Sequence, residues 1–412
     1  MNINKETLKE RKISMPELVL IICLFALYLL PSVSIGSTTV LMLLLMFCVY
    51  LMAVDKEVFP VVLGSLALIT LLAVAYTFLT DASSIAQDVS GRDMKRFISK
   101  FYQYLALYFP AILFIRISKS ASRKQKKILV IAGVVLMVYV IISTWLFLIE
   151  NPDATRQWEN FETNSAYNVA NFYFIYSVPV MISILAIVML KVKRFSKLIA
   201  FAALLAAIWF LVKAQYTLSI LIAIIGVLIQ LYRSIRTSVG KVLFVSGMAL
   251  FVVFLPQLLE MFISIIPSEQ VSERLTEIHR FLTGQGTGGY NLNGRLTLYG
   301  RTVLAFLESP LWGNARLGFD GHATFLTVLA DTGILGAIPF YTLLWFICRR
   351  IRRELPMGRP QINVIIFMFV MMGLTNPIHA SFQLGFTAWF LAPLTIQLLL
   401  KEDSQNETAL EN

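Results

Sequence analysis

Twelve apolar runs, most close to twenty residues long, divide this chain at about 15–35, 37–54, 58–80, 97–116, 128–150, 166–190, 196–212, 216–232, 240–266, 322–348, 362–377 and 379–400. About 20 apolar residues make a helix that crosses a bilayer. In lipid each run must satisfy its backbone internally, which a helix does and an open sheet does not. The runs are continuous rather than alternating, which argues against a β-barrel. The expectation is an all-α, polytopic bundle of about twelve transmembrane helices, with residues 1–412 forming one integral membrane domain. Composition agrees, since 58% of the 412 residues are apolar and 14% are charged, against about 25% charged in soluble domains. A soluble enzyme, a nucleic-acid-binding domain and a disordered chain are excluded. The net charge of +11 sits mostly in short segments between apolar runs, so no nucleic-acid partner is expected. Cys23, Cys48 and Cys348 lie inside apolar runs, so neither a disulfide framework nor a zinc site is expected.

Lys5, Lys9, Arg11 and Lys12 precede the first run, and no small-residue cleavage site follows it. An uncleaved first helix is expected. With the N-terminus inside and sides alternating, the inner segments hold 24 of the 35 Lys and Arg. Arg116 to Lys127 and Arg349 to Arg353 dominate that bias, which is the positive-inside pattern with both termini cytoplasmic. Residues 267–321 then form one large extracytoplasmic loop between spans nine and ten, far longer than the other outer loops. Such a loop is usually functional.

Candidate chemistry collects on the outer side. His322 lies where the long loop enters span ten and His379 lies in the Asn376-Pro377-Ile378-His379 hairpin. Histidine exchanges protons near neutral pH, although a lone interfacial His also serves as a simple headgroup-level hydrogen-bonder. Arg295, Arg301 and Arg316 in the loop, and Lys213 in the hairpin between spans seven and eight, run against the positive-inside bias. Such cations suit a pyrophosphate. Pairing with loop glutamates or lipid headgroups is the plainer alternative, and Arg274 and Arg280 fit it within the alternating-charge stretch 273–280. Residues 294–308 read as a helix on which Arg295, Tyr299 and Thr302 share a face and Arg301 points elsewhere. Asp331 follows His322 by nine residues, about 900° or half a turn on a regular helix. It is expected to be a buried partner for another helix or for an outer cation. No paired-carboxylate, HExxH, Gly-x-Ser-x-Gly or DxD pattern is present, so no metal or cofactor is expected.

Between residues 294 and 341 stand Gly294-Arg295, Tyr299, Ser309-Pro310-Leu311-Trp312-Gly313, His322 and Leu329-Ala330-Asp331-Thr332-Gly333-Ile334-Leu335-Gly336. In order and spacing this region resembles the signature of the O-antigen ligase and polysaccharide polymerase (Wzy-type) superfamily. The resemblance covers about 48 of the 412 residues. It implies a GT-C-like bacterial plasma-membrane glycosyltransferase, independent of metal. Such an enzyme moves glycan from an undecaprenyl-pyrophosphate-linked glycan to a sugar acceptor at the outer face of the membrane. Carried over, Arg295 binds the donor pyrophosphate and His322 acts on the acceptor hydroxyl. Lys213, Arg301 and Arg316 join the donor site, with His379, Tyr299 and Asp331 as acceptor or supporting residues. The chain departs from the family where a Ser-Arg pair usually opens the helix matching span eight; here Lys213-Ala214-Gln215-Tyr216-Thr217 stands instead. Ala323 also follows the His, where Asn or Ser is common.

A polymerase that takes a lipid-linked acceptor is the leading expectation, with membrane lipid and a chain-length regulator as further candidate partners. A ligase moving finished glycan onto lipid A core or protein is the alternative within the family. A polysaccharide or lipid flippase is the alternative from another class. Against it stand the near absence of deep ionisable residues other than Asp331 and the lack of an evident repeat. A purely structural scaffold is the remaining reading.

Overall fold

The structure is a computed structural model. It describes residues 13–34, 106–151, 167–191, 194–214, 216–265, 269–285, 290–313, 323–379 and 381–400, with single positions between them. Helices in chain order are α1 Met15–Leu29, α2 Phe109–Ser120, α3 Arg123–Glu150, α4 Val178–Lys191, α5 Arg194–Lys213 and α6 Thr217–Ser234. Then come α7 Ser238–Ile265, α8 Glu269–Leu282, α9 Tyr290–Glu308, α10 Thr324–Glu354, α11 Arg359–Thr375 and α12 Phe382–Leu400. A short turn of helix, Phe172–Ile175, leads into α4. No strand occurs among the described residues. Among the described residues, six helices are long and apolar enough to cross a bilayer, and α1, α6 and α11 are shorter apolar helices. This is an all-helical bundle of membrane character. The apolar runs 37–54 and 58–80, and most of 97–108, lie outside or largely outside the described residues.

The charged runs differ from expectation. Hydropathy places loops at 117–127 and 349–361, but α2 and α3 are separated by Ala121 and Ser122 alone, and α10 runs on through Arg353 to Glu354. Helical backbone does not stop where apolar side chains stop. At α3, Ser122 Oγ accepts from Gln125 N at 3.3 Å and Gln125 Oε1 accepts from Ser122 N at 2.9 Å. With Ser122 as its N-cap, that capping box starts the helix at Arg123. At the end of α10, Arg352 and Arg353 stand in the last turn, where the negative pole of the helix favours cations.

These contacts define one end of the bundle. Lys119 and Arg350 both pair with Glu354, at 3.6 and 3.4 Å. Arg116 lies 3.9 Å from Glu17, and Gln125 Nε2 donates to the Ile13 carbonyl at 3.0 Å. Arg233 donates to the Pro360 carbonyl. The start of α1, the α2–α3 turn, the end of α6 and the α10–α11 turn therefore meet, bringing both dominant basic runs to the same end.

Between the ends, aromatic packing joins distant segments. Phe25 of α1 sits edge-on to Phe386 and Phe390 of α12, at 4.7 and 5.0 Å between centroids. The Tyr108 ring lies among Phe340, Phe369 and Trp389. A π-helical turn, Thr387–Leu391, brings Trp389 and Phe390 into full burial within α12. In contrast, α7 buries Leu259 and exposes Val239, Leu243, Val253 and Phe254, as a helix surrounded by lipid does.

Candidate functional site

Two pieces of the 294–341 signature dock on each other through backbone. Within α10, Gly333 has φ 60° and ψ −168°, which breaks the helix. That break frees amide N–H groups that a regular helix would use. Ile334 N donates to the Pro310 carbonyl at 2.8 Å, and Leu335 N donates to the Leu311 carbonyl at 3.2 Å. Gly313 closes the Ser309–Gly313 turn, its N–H donating to the Ser309 carbonyl at 2.7 Å, with φ 76°. A Cβ on Gly333 would stand 2.4 Å from the Leu311 carbonyl, and one on Gly313 would stand 2.4 Å from Thr332 N. Only glycine permits this approach. Gly333 lies nine residues along α10 from Thr324, about 14 Å at 1.5 Å per residue. Segment 267–321 is accordingly more than an outer loop. It contains α8 and α9, both longer than the sequence pattern indicates, and the turn after α9 reaches this far along α10.

The other end of α9 meets the bundle end opposite the basic one. Arg295 and Tyr299 are four residues apart and therefore share a face. Arg295 Nη1 donates to the Thr375 carbonyl at 3.4 Å, and Tyr299 Oη donates to the same oxygen at 3.3 Å. Thr375 ends α11, where carbonyls lack intrahelical partners and carry the negative pole. Both distances are long, so these are weak bonds. Arg295 is near enough to Tyr299 to act on its phenol. Burial pushes that phenol above its ordinary value of 10.0, and the Arg295 charge opposes the rise in part.

The chain after Thr375 is stapled to the start of α10. Thr324 N and Thr324 Oγ1 both donate to the Asn376 carbonyl, at 3.2 and 3.1 Å. Ile378 N donates to Thr324 Oγ1 at 2.6 Å. Thr324 is 1% exposed and Asn376 3%, so the staple is dry. His379 follows it, half-buried and edge-on to the Tyr173 ring at 6.1 Å. Ser381 donates to the Tyr173 carbonyl. Tyr176 packs edge-on against Tyr216 at 6.2 Å, and Tyr216 Oη donates to the Thr155 carbonyl at 2.9 Å. Arg295, Tyr299, Tyr216 and Tyr173 all act electrostatically on Tyr176. One half-buried guanidinium thus lies in a neighbourhood of four phenols and an imidazole, supplied by α4's approach, α6, α9 and the α11–α12 turn.

The sequence candidates divide as follows. Arg295, Tyr299 and His379 fall in this neighbourhood. His322 and Arg316 lie outside the described residues, and the chain is described again from Ala323. Arg301 is exposed on α9. Lys213 is exposed and sits over the ring of Trp209 on its own helix, 5.2 Å from the centroid. Asp331 is 4% exposed. The half-turn argument that separated it from His322 assumed one regular helix. Instead Ala323 is extended (φ −137°, ψ 98°), and the break at Gly333 follows two residues later.

Tyr173, Tyr176 and Tyr216 were not singled out from the sequence. The signal was there in Asn171-Phe172-Tyr173-Phe174-Ile175-Tyr176, two phenols three residues apart at the mouth of an apolar run. Among the described residues, no group of three or more His, Cys, Asp or Glu is placed to hold a metal ion. The chain matches no family model and no curated protein.

Proposed function

We propose that this protein is a glycosyltransferase of bacterial plasma membranes, acting as a polysaccharide polymerase at the outer face. The observation that carries the reading is the setting of Arg295. It is a cation of fixed charge, held at the bundle end opposite the basic runs, with hydroxyl groups around it and donors to spare. A guanidinium has five N–H donors, so the contacts to Thr375 and Tyr299 leave others for a pyrophosphate. On this reading the basic end faces the cytoplasm, both termini lie there, and the bundle has twelve spans in a GT-C-like arrangement.

The chemistry is a displacement. An acceptor hydroxyl oxygen bonds to the anomeric carbon of an undecaprenyl-pyrophosphate-linked glycan while the bond from that carbon to the pyrophosphate oxygen breaks. The hydroxyl proton passes to a base, for which His322 is the candidate, and the carrier pyrophosphate departs with the bonding electron pair. Negative charge grows on that leaving group, so a fixed cation helps most in the transition state. Leu296, Leu304 and Leu307 are exposed on α9, giving the donor lipid an apolar approach beside Arg295. Arg301, Arg316 and Lys213 are secondary cations in this scheme. His379, Tyr173, Tyr216 and Tyr299 are half-buried and supply imidazole and hydroxyl groups for a sugar, with buried Tyr176 behind them.

The test is the lipid-linked glycan profile of cells lacking the protein, complemented with wild type, Arg295→Ala or His322→Ala. Collapse of a ladder to one repeat unit supports the polymerase. Long glycan stranded on its carrier indicates the ligase, and repeat units trapped on the inner face would replace a transferase with a flippase. Full polymer output from both variants would sink the site assignment.

A further inference from the structure

The basic end contains a cavity of about 740 Å³ between α10 and α11. It is an open groove, lined by the charged side chains of Arg349, Arg352, Arg353 and Arg359 and by the apolar ones of Leu344, Trp345 and Ile366, with Trp345 itself exposed. Glu354 is the acid of this turn, and it pairs with Arg350 and Lys119 rather than with any of the four lining arginines. Among the described residues, none of those four makes an ion pair with a carboxylate. Arg349 lies over the Trp345 ring, 5.1 Å from its centroid, and Arg359 Nε donates to the Arg352 carbonyl at 3.1 Å. Two of the guanidinium groups are thereby oriented, and their remaining donors stay available.

A positive-inside bias accounts for arginines on this side of the membrane. It does not account for four of them converging on a cavity whose walls turn apolar toward the middle of the helices. From Tyr341, the first lining residue on α10, to Arg352 is eleven residues, about 16 Å at 1.5 Å per residue. That length suits an acyl chain, and the arginines suit a phosphate that guanidinium groups grip by two donors at once. Basic pockets between membrane helices on the cytoplasmic side have this character.

We propose that this cavity binds one anionic phospholipid of the inner leaflet, with its phosphate among Arg349, Arg352, Arg353 and Arg359 and an acyl chain along Leu344, Trp345 and Ile366. The lipid would bridge the α10–α11 turn, and so brace the helix that carries Gly333 and Thr324 at its far end. The site lies at the opposite end of the bundle from Arg295 and takes no part in glycan transfer.

The test uses the full-length protein in detergent micelles. Retention of phosphatidylglycerol is compared with that of phosphatidylcholine of the same chains by native mass spectrometry, and inorganic phosphate is a separate arm read by thermal protection. Both lipids carry the phosphate, but the choline cation of phosphatidylcholine is repelled by the arginines, so wild type should retain phosphatidylglycerol over phosphatidylcholine by about tenfold or more, the scale of one charge–charge interaction near a protein surface. The variant R352Q/R353Q/R359Q should lose that preference. Because removing positive charge can disturb insertion, R352K/R353K/R359K keeps the charge and removes the forked donors; it should lower the preference. Leu344→Trp fills the apolar part of the groove and should weaken phosphatidylglycerol retention. Equal retention of the two lipids by wild type overturns the proposal, as does a full preference persisting in all three variants. Protection by inorganic phosphate equal to that by phosphatidylglycerol would assign the site to a free anion instead.

Discussion

Replacing Gly333 with alanine tests the backbone junction on which α9 depends. Its φ of 60° and ψ of −168° lie in a region essentially reserved for glycine, and strain there costs about 1–3 kcal/mol. The added Cβ would stand 2.4 Å from the carbonyl carbon and oxygen of Leu311, and backbone cannot yield as a flexible side chain can. Moving the 309–313 turn away loses the bonds from Ile334 N to Pro310 and from Leu335 N to Leu311, each worth about 0.5–1.5 kcal/mol net. The entropy lost by the unfolded chain on a Gly→Ala change returns about 0.4–1 kcal/mol. The sum is a destabilisation of about 3 kcal/mol, a large share of the ~5–15 kcal/mol typical of folded domains. The control is Gly300→Ala on exposed α9, where a Cβ meets nothing within 4 Å; its expected effect is a gain of about 0.5–1 kcal/mol. Thermal denaturation of both variants in detergent reads the difference. A Gly333→Ala protein melting with wild type, or a Gly300→Ala protein losing as much, would refute the account of the junction.

Three further outcomes follow from the opposite end of α9 and from the staple. On the proposed transferase reading, Arg295→Ala should lower glycan transfer by about 10²–10³-fold, the scale of removing one preorganised donor to a developing anion; Arg295→Lys should recover part of it, because it restores a point charge without the fork. Measured turnover at equal protein level decides this, and equal rates for alanine and wild type would remove Arg295 from the site. Thr324→Val removes the 2.6 Å acceptor of Ile378 N–H, which keeps the Asn376 carbonyl at 3.0 Å, and removes the Thr324 hydroxyl bond to that carbonyl; at about 0.5–1.5 kcal/mol per bond it should melt below wild type, whereas Thr324→Ser keeps the hydroxyl and should melt near wild type. Tyr299 is held above its ordinary value of 10.0 by burial, so the folded state keeps this proton where the unfolded chain begins to lose it. Its contribution to stability is complete below about pH 10 and declines as pH rises through the raised value. Tyr299→Phe should remove that part of the alkaline loss, as followed by unfolding scans between pH 9 and about 12.

Much of the helical layout was legible because the residues that lipid demands are also the residues that make long continuous runs. The limits of the helices were less legible, because hydropathy marks where apolar side chains end and not where backbone hydrogen bonding ends. The Ser122–Gln125 box was visible as a capping pattern, yet the basic stretch around it outweighed it in a reading by charge. In α10, Gly333 stood in the sequence only as one residue of the Leu329–Gly336 stretch inside an apolar run. Its positive φ answers to Pro310 and Leu311, more than twenty residues earlier, and no local pattern contains that information.

The same distinction separates what was legible at the two ends of the molecule. Arg295 and Tyr299 could be paired from the sequence because four residues on one helix is a local relation. Their common acceptor on Thr375 could not, nor could the approach of Tyr173, Tyr176 and Tyr216, because each depends on which helix ends meet. At the basic end the arginines were counted as a side preference, one residue at a time. The four-residue turn from Leu355 to Gly358 brings Arg359 back beside Arg352, and that return converts a bias in charge into a groove lined by both charged and apolar side chains. In a bundle of this kind, charge patterning shows which end a residue belongs to, while the turns between helices decide which residues of that end act together.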